Sequence, residues 1–236
     1  MDDLTNIVEW MNKNSGFLSF LLFIAAIIIG WISGLFKSLV KKPKFKVRVV
    51  DKMTFYTIYP TGKQYKPPHL DETLDLYKIA FAIYMEVSNI GSAPSTLGKV
   101  RVGYFPNNVK RHRFPKRNWI PQTSCLGDFS IPTKDGKCMV LNHLFQRTAL
   151  MPLNTDSYLE VGKSIIGVGY FEQADSWGNF HPREEPDGLY DLKIEISDMW
   201  GKRHFHKTRI KKISLEDALR YNPKFGQTFE LIDNKS

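Results

Sequence analysis

The sequence predicts a mainly β protein: one N-terminal transmembrane helix, then a β-sandwich domain of broadly immunoglobulin-like type, with a short C-terminal helix. Three observations carry that class. Phe17 to Phe36 runs twenty residues without a charge. Beyond residue 44, apolar and polar residues alternate in short runs separated by turn-forming residues. Near the end, Ser214-Leu215-Glu216-Asp217 has the form of a capping box, and Asn222-Pro223 stops what it starts.

The elements follow in chain order. In the tail, residues 1–15, Leu4, Ile7, Val8 and Met11 fall at i, i+3, i+4 and i+7, with Trp10 beside them and Asn14-Ser15-Gly16 as a break. A short helix in the outer membrane interface, with Trp10 at headgroup depth, fits that pattern. A frayed tail fits it as well. The segment 16–42 holds the span and a basic juxtamembrane stretch. Twenty residues at about 1.5 Å each reach roughly 30 Å, the thickness of a bilayer's hydrocarbon core. A cleavable signal peptide needs a basic leader, and Asp2, Asp3 and Glu9 make this one acidic. A buried soluble helix would show a polar face. Helix is expected to continue past Phe36 until Pro43 ends it.

Charge sets the orientation. Lys13 is the single base before the span, whereas Lys37, Lys41, Lys42, Lys44, Lys46 and Arg48 follow it before any acid. Positive residues stay inside, so the C-terminal domain is expected in the cytoplasm and the tail outside, in a bacterial inner membrane. Lys37, Lys41, Lys42, Lys44 and Lys46 are expected along the inner leaflet, each contributing about 1 kcal/mol against anionic headgroups. Within the span, Ala26, Gly30 and Gly34 lie at i, i+4 and i+8. Such a small-residue stripe predicts self-association of the helix, hence a homo-oligomer.

Residues 44–236 form one domain by length. Tyr77 to Ser88 and Tyr190 to Ser197 alternate in strand fashion, and Phe45 to Val49, Val100 to Phe105 and Ile165 to Phe171 are shorter strand runs. "NIGSAPS" at 89–95 and "PDG" at 186–188 read as turns. "DSWGNFH" at 175–181 and "DMWGKRH" at 198–204 share Asp-x-Trp-Gly. An Asp that binds backbone two residues on, followed by Gly, is turn chemistry. Each is read as a hairpin turn whose Trp packs over a sheet end. Together, "NIGSAPS", "YFEQ" followed by "SWG", and "DMWGKRH" resemble uncharacterised bacterial single-pass membrane-anchored proteins. That resemblance implies a bacterial inner membrane and no particular chemistry.

No phosphate loop, H-E-x-x-H, G-x-S-x-G or C-x-x-C occurs. Gly167-Val168-Gly169 begins like a dinucleotide fingerprint but sits within a strand run. His204 and His206 fall on one side of a strand, half of what a closed zinc site needs, and are assigned to a solvated basic face. No catalytic residue, metal or cofactor is assigned, and a non-enzymatic protein is expected. Cys125 and Cys138 should be free thiols in the cytoplasm, and a disulfide between them would argue for the opposite orientation.

The charge distribution points to a partner. Without residues 1–36, thirty-two Lys and Arg face twenty-one Asp and Glu, a formal +11. Between Glu86 and Asp128 stand Lys99, Arg101, Lys110, Arg111, Arg113, Lys116 and Arg117 with no acid. The core of that run, "KRHRFPKRNW", interleaves bases with aromatics, ending at Trp119. Lys202 to Lys212 is a further acid-free cluster, including Arg203, His204 and His206. The expected partner is anionic: membrane lipid, a nucleotide or nucleic acid, or an acidic protein. The predicted role is a membrane-anchored binding module acting as sensor, adaptor or effector. Anchored recognition domains of bacterial antiviral defence systems supply only a fold-level analogy. The alternatives are a structural or accessory subunit of a membrane complex, and an extracytoplasmic sandwich.

Overall fold

The computed structural model describes residues 2–34, 41–68, 71–107, 116–144, 157–178 and 180–228. The chain divides into two compact units, Met1–Lys42 and Pro43–Ser236.

The first unit is helical. α1 (Asp2–Lys13) and α2 (Ser15–Ile32) are separated only at Asn14. There, the backbone N–H and the side-chain Nδ2 of Asn14 both donate to the Trp10 carbonyl, at 3.0 and 2.9 Å. The tail is therefore helix, and the expected break is one residue wide. α2 is eighteen residues with no charge, long and apolar enough to cross a membrane, and none of its side chains is buried. It ends at Ile32, and residues 35–40 of the expected continuation lie outside the described residues. Ser33 N–H donates to the Ile29 carbonyl at 2.8 Å, and Gly34 follows at φ +74°. A glycine in the left-handed region closes a helix. Ala26 and Gly30 thus lie within α2 while Gly34 lies beyond its end, so the three do not form one helical stripe. Lys37 falls outside the described residues.

The second unit is built from strands, as the alternation predicts. They are β1 (Phe45–Val49), β2 (Phe55–Tyr65), β3 (Leu74–Asn89), β4 (Ser95–Thr96), β5 (Val100–Tyr104) and β6 (Asn118–Thr123). After them come β7 (Phe129–Pro132), β8 (Cys138–Leu141), β9 (Tyr158–Leu159), β10 (Ser164–Ser176), β11 (Tyr190–Ser197) and β12 (Arg203–Lys212). The helix α3 (Leu215–Tyr221) follows. Its Ser214 cap accepts from Asp217 N–H at 3.0 Å while the Ser214 hydroxyl donates to the Asp217 carboxylate at 2.8 Å. The predicted N-cap forms, with the Asp217 carboxylate returning to the Ser214 hydroxyl.

Eight strands join in the order β1-β3-β10-β6-β5-β11-β12-β2, and β2 returns to pair with β3. Two layers face each other: β1, β2, β3 and β10 in one, β6, β5, β11 and β12 in the other. Their edges meet through short pairings only, Tyr170 and Phe171 of β10 on β6, and Lys211 and Lys212 of β12 parallel to Phe55 and Tyr56 of β2. Between the layers lies the main core, with Ile79, Phe81, Ile83 and Met85 of β3 against Val100, Val102 and Tyr104 of β5 and Leu192, Ile194 and Ile196 of β11. These are the alternating residues of the sequence runs, all on one face.

A second core covers the other face of β3. Ala80 and Ala82 meet Val168 and Tyr170 of β10, Phe129, Ile131 and Leu141 of the β7–β8 hairpin, Ala218 of α3, and Phe225. Cys125 is buried here, whereas Cys138 is exposed, and both are free thiols. Burial pushes the Cys125 thiol up to about 11. Gly167 and Gly169, alternating with Val168 and Tyr170, face the other way, toward Leu144, Met85 and Phe171 of the main core. A Cβ at Gly167 would stand 2.6 Å from the Leu144 backbone nitrogen, and one at Gly169 would stand 2.9 Å from the Met85 methyl. The resemblance to a dinucleotide fingerprint is a consequence of close strand packing.

Candidate functional site

The outward face of the β6-β5-β11-β12 layer is uncovered, and strand register decides what it carries. Trp119 of β6 lies opposite Gly103 of β5, Gly103 opposite Lys193 of β11, and Lys193 opposite Lys207 of β12. In the next outward row Pro121, Arg101, Glu195 and Phe205 stand side by side. Ser197 and Arg203 make a third row, Asp191 and Arg209 a fourth. Arg101 of the first basic run and Arg203 and Lys207 of the second, about a hundred positions apart in sequence, share one surface because β11 pairs with β5 on one side and β12 on the other.

Aromatic rings are set among these charges. Trp119 lies over Gly103, where an added Cβ would be 2.8 Å from its Cε3, so the glycine is the seat of the indole. The Arg101 guanidinium stands 5.4 Å from the Trp119 ring, and Phe205 packs at 6.4 Å between centroids. The Lys193 ammonium sits over Phe205 at 3.8 Å. Phe205 is 51% exposed, a large apolar ring held in water among cations. One carboxylate lies beneath: Glu195, buried, accepts from Arg101 Nε at 3.0 Å, with Arg203 Nε at 3.9 Å. It fixes Arg101 in place and leaves Lys193, Lys207 and Arg203 with outward charge. Arg209 is paired with Asp187.

Other site residues expected from the sequence fall elsewhere. His204 and His206 are not on this face. Alternation sends Arg203, Phe205 and Lys207 outward, so the two histidines turn toward the core. His204 Nδ1 accepts from Phe45 N–H at 3.4 Å, and Nε2 meets the buried Asp198 carboxylate at 3.3 Å. Burial lowers the pKa of His206. Neither ring belongs to a solvated basic face. Among the described residues no group of three or more His, Cys, Asp and Glu comes together as a metal site.

Arg117 is occupied too. Its guanidinium lies 3.8 Å from the Phe105 ring centroid, and its buried Nε finds no hydrogen-bond acceptor among the described residues. With Lys116, Asn118, Gln173 and Trp177 it borders an open cavity of about 500 Å³ at the far end of β10. Lys110, Arg111 and Arg113 lie outside the described residues. Lys41, Lys42, Lys44 and Lys46 are exposed. Lys202 opens β12 from the Asp198 turn. There Asp198 Oδ1 accepts from Trp200 N–H at 3.0 Å and Lys202 N–H at 2.9 Å, with Gly201 at φ +80°. This is the predicted turn chemistry. Its Trp200 does not pack over the sheet, being 62% exposed, whereas Trp177 does pack, 5.3 Å from Tyr65.

Sequence reasoning missed Phe205 and Lys193 as members of the site. Phe205 was visible between two histidines, but the alternation there gives no sign of which parity faces water.

No protein-family model matches the chain, and the search of curated proteins found no match. Among solved structures, a protein described as ApaA from Bordetella pertussis aligns over 73% of this chain and 97% of its own, at 10% identity and a TM-score of 0.29. A structural-genomics target aligns over 72% and 85%, at 7% identity and a TM-score of 0.23. Likenesses of that size carry no argument about fold or function.

Proposed function

We propose that this protein is a membrane-anchored, non-enzymatic binding module that presents the open β6-β5-β11-β12 face to an anionic, ring-bearing ligand, of the nucleotide or single-stranded nucleic acid class, on the cytoplasmic side. The observation that carries the reading is the pairing of exposed Phe205 and half-buried Trp119 with Arg101, Lys193, Arg203 and Lys207 on one uncovered sheet face. Rings offer stacking surfaces that tolerate any base, and the cations neutralise the backbone between them. An apolar span in α2 and the one-sided basic flank support the anchor and its orientation.

The full chain in nanodiscs of neutral lipid, titrated with a labelled oligothymidylate over a salt series, tests the ligand class. Binding is expected to fall with salt in proportion to the phosphates neutralised. Phe205→Ala is expected to weaken it by about tenfold, a stacking contribution of about 1–3 kcal/mol. Arg203→Gln with Lys207→Gln should lower both affinity and salt slope. Absence of salt-dependent binding overturns the nucleic acid reading. Orientation is tested separately: a reporter fused after Ser236 should be active only if it functions in the cytoplasm.

A further inference from the structure

One end of the strand domain carries exposed apolar side chains within a ring of lysines, and the chain enters the domain at that end. Hydrogen bonds place the loops together. Ile90 N–H donates to the Lys44 carbonyl at 2.8 Å, Asn89 N–H to the Lys163 carbonyl at 3.0 Å, and Gly162 N–H to the Asn89 carbonyl at 2.8 Å. The Asn89 side chain ties the same corner to Ala93 and Leu159. On the other layer, Gly98 N–H donates to the Ser197 carbonyl at 2.8 Å, and Met199 N–H meets the Ser95 hydroxyl at 3.3 Å. Phe45 N–H to His204 Nδ1 closes the circle.

From these loops five large apolar side chains stand in water. Ile90, Tyr158, Val161 and Met199 are each half exposed or more, and Trp200 is the most exposed of the five. Around them Lys44, Lys99, Lys163 and Lys202 are exposed. Among the described residues of the same loops Glu160 is the one exposed acid, and Asp198 is turned inward and buried. Lys44 lies ten positions after Gly34, where α2 has ended.

We propose that this end docks on an anionic bilayer surface, with Trp200, Met199, Val161 and Ile90 in the headgroup region and the lysines against acidic lipid. The inference rests on reading α2 as a membrane span. The occupant follows from composition. An indole and aliphatic tips ringed by ammonium groups match an interface that is apolar below and negative above. The chain enters the strand domain at this end, through Lys44 and Phe45, whereas Trp177 follows the other end of the thirteen-residue strand β10. The open sheet face, at the side of the domain, is left free for a separate ligand.

The test uses the full chain in nanodiscs whose lipid tails are brominated, with and without phosphatidylglycerol. The emission removed by Trp200→Phe reports Trp200 alone, and that removed by Trp177→Phe reports the opposite end. With phosphatidylglycerol present, the Trp200 share should lose most of its intensity to bromine while the Trp177 share is unchanged. Lys99→Gln, Lys163→Gln and Lys202→Gln together should restore much of the Trp200 emission. Trp200 quenched no more than Trp177 overturns the docking. Equal quenching without phosphatidylglycerol overturns the role of charge. A chain that fails to incorporate into discs, or that leaves Trp31 of α2 unquenched, refutes the span itself.

Discussion

The outer face of the β3 layer and the outer face of the β11 layer start from similar alternation and are finished in opposite ways. On the first, small residues, Ala80 and Ala82, leave room for the β7–β8 hairpin, α3 and Phe225 to settle into a second core. On the second, the equivalent positions are Arg101, Lys193, Phe205 and Lys207, and the chain supplies nothing among the described residues to cover them. The first face is spent on stability. The second keeps its cations and rings for something outside the molecule, and that contrast can be broken by mutation.

The largest effect should separate the two faces directly. Phe129 is fully buried, with Phe225 and Tyr170 rings at 6.2 and 6.4 Å. Phe129→Ala is expected to cost about 3–5 kcal/mol by leaving a cavity. Phe205→Ala on the open face should stay within about 0.5 kcal/mol. Thermal denaturation of the full chain in detergent measures both. Comparable losses would mean that the open face is structural after all.

Next in size is the ion pair at the margin of the second core. Lys78 Nζ lies 2.8 Å from the buried Glu172 carboxylate and also donates to the Gly226 carbonyl at 3.0 Å. Lys78→Ala would leave the Glu172 carboxylate with the Tyr170 hydroxyl as donor but without a cation, at a cost of about 3 kcal/mol. The matching change on the open face, Arg101→Ala, should cost less because Arg203 remains as a second cation 3.9 Å from Glu195. Equal destabilisation would show that Arg203 does not stand in for Arg101.

The thiols sharpen the same contrast through pH. Cys125 has a folded pKa of about 11 against an ordinary value of 9.0, so the unfolded chain releases its proton first. The stability it protects is complete below the unfolded pKa and drains away as pH rises from there toward 11. Cys125→Ala should flatten that decline relative to wild type, and iodoacetamide should label exposed Cys138 long before Cys125. An unchanged pH slope would remove burial of the thiol as its cause.

Much of this was legible in the sequence, and what was not has a physical reason. The alternation of Tyr77 to Ser88 gives β3 and its inward face, but it also marks Ala80 and Ala82 as solvent-facing. Their cover comes from Phe129, Phe225 and Tyr170, whose approach depends on tertiary contacts that no local period encodes. The basic runs are plain in the sequence, but the meeting of Arg101 with Arg203 and Lys207 depends on β11 lying between β5 and β12. His204 and His206 were misplaced because, with basic residues on both parities of Lys202 to Lys212, the sequence gives no hydrophobic face. The buried partner Asp198 decides that parity. Gly34 shows the reverse case. An apolar run continuing to Phe36 hides a helix end that the glycine's φ of +74° reveals.

A smaller perturbation tests the seat of the indole. Gly103→Val would drive a side chain into the space that Trp119 fills, at an expected cost of about 1–3 kcal/mol for overpacking. Near-ultraviolet circular dichroism should register the displaced Trp119, and ligand affinity should fall with it. A variant with unaltered spectrum and stability would mean that the indole does not depend on that glycine.

The smallest expected effect lies in how the covered face is held shut. α3 is only seven residues long, too short to persist by propensity alone. Its packing through Ala218, Leu215 and Tyr221 against Phe55 and Phe225 needs its first turn in place. Ser214 supplies that by accepting from Asp217 N–H, so Ser214→Ala should cost about 1 kcal/mol. Ser214→Asp, which retains an acceptor at the cap, should recover most of the loss. Because the cap acts on the covered face alone, oligonucleotide binding at the open face should be unaffected below the melting transition. If Ser214→Ala weakened that binding as well, the two faces would be coupled through β2 and β12, whose parallel pairing at Lys211 and Lys212 runs directly into the α3 cap.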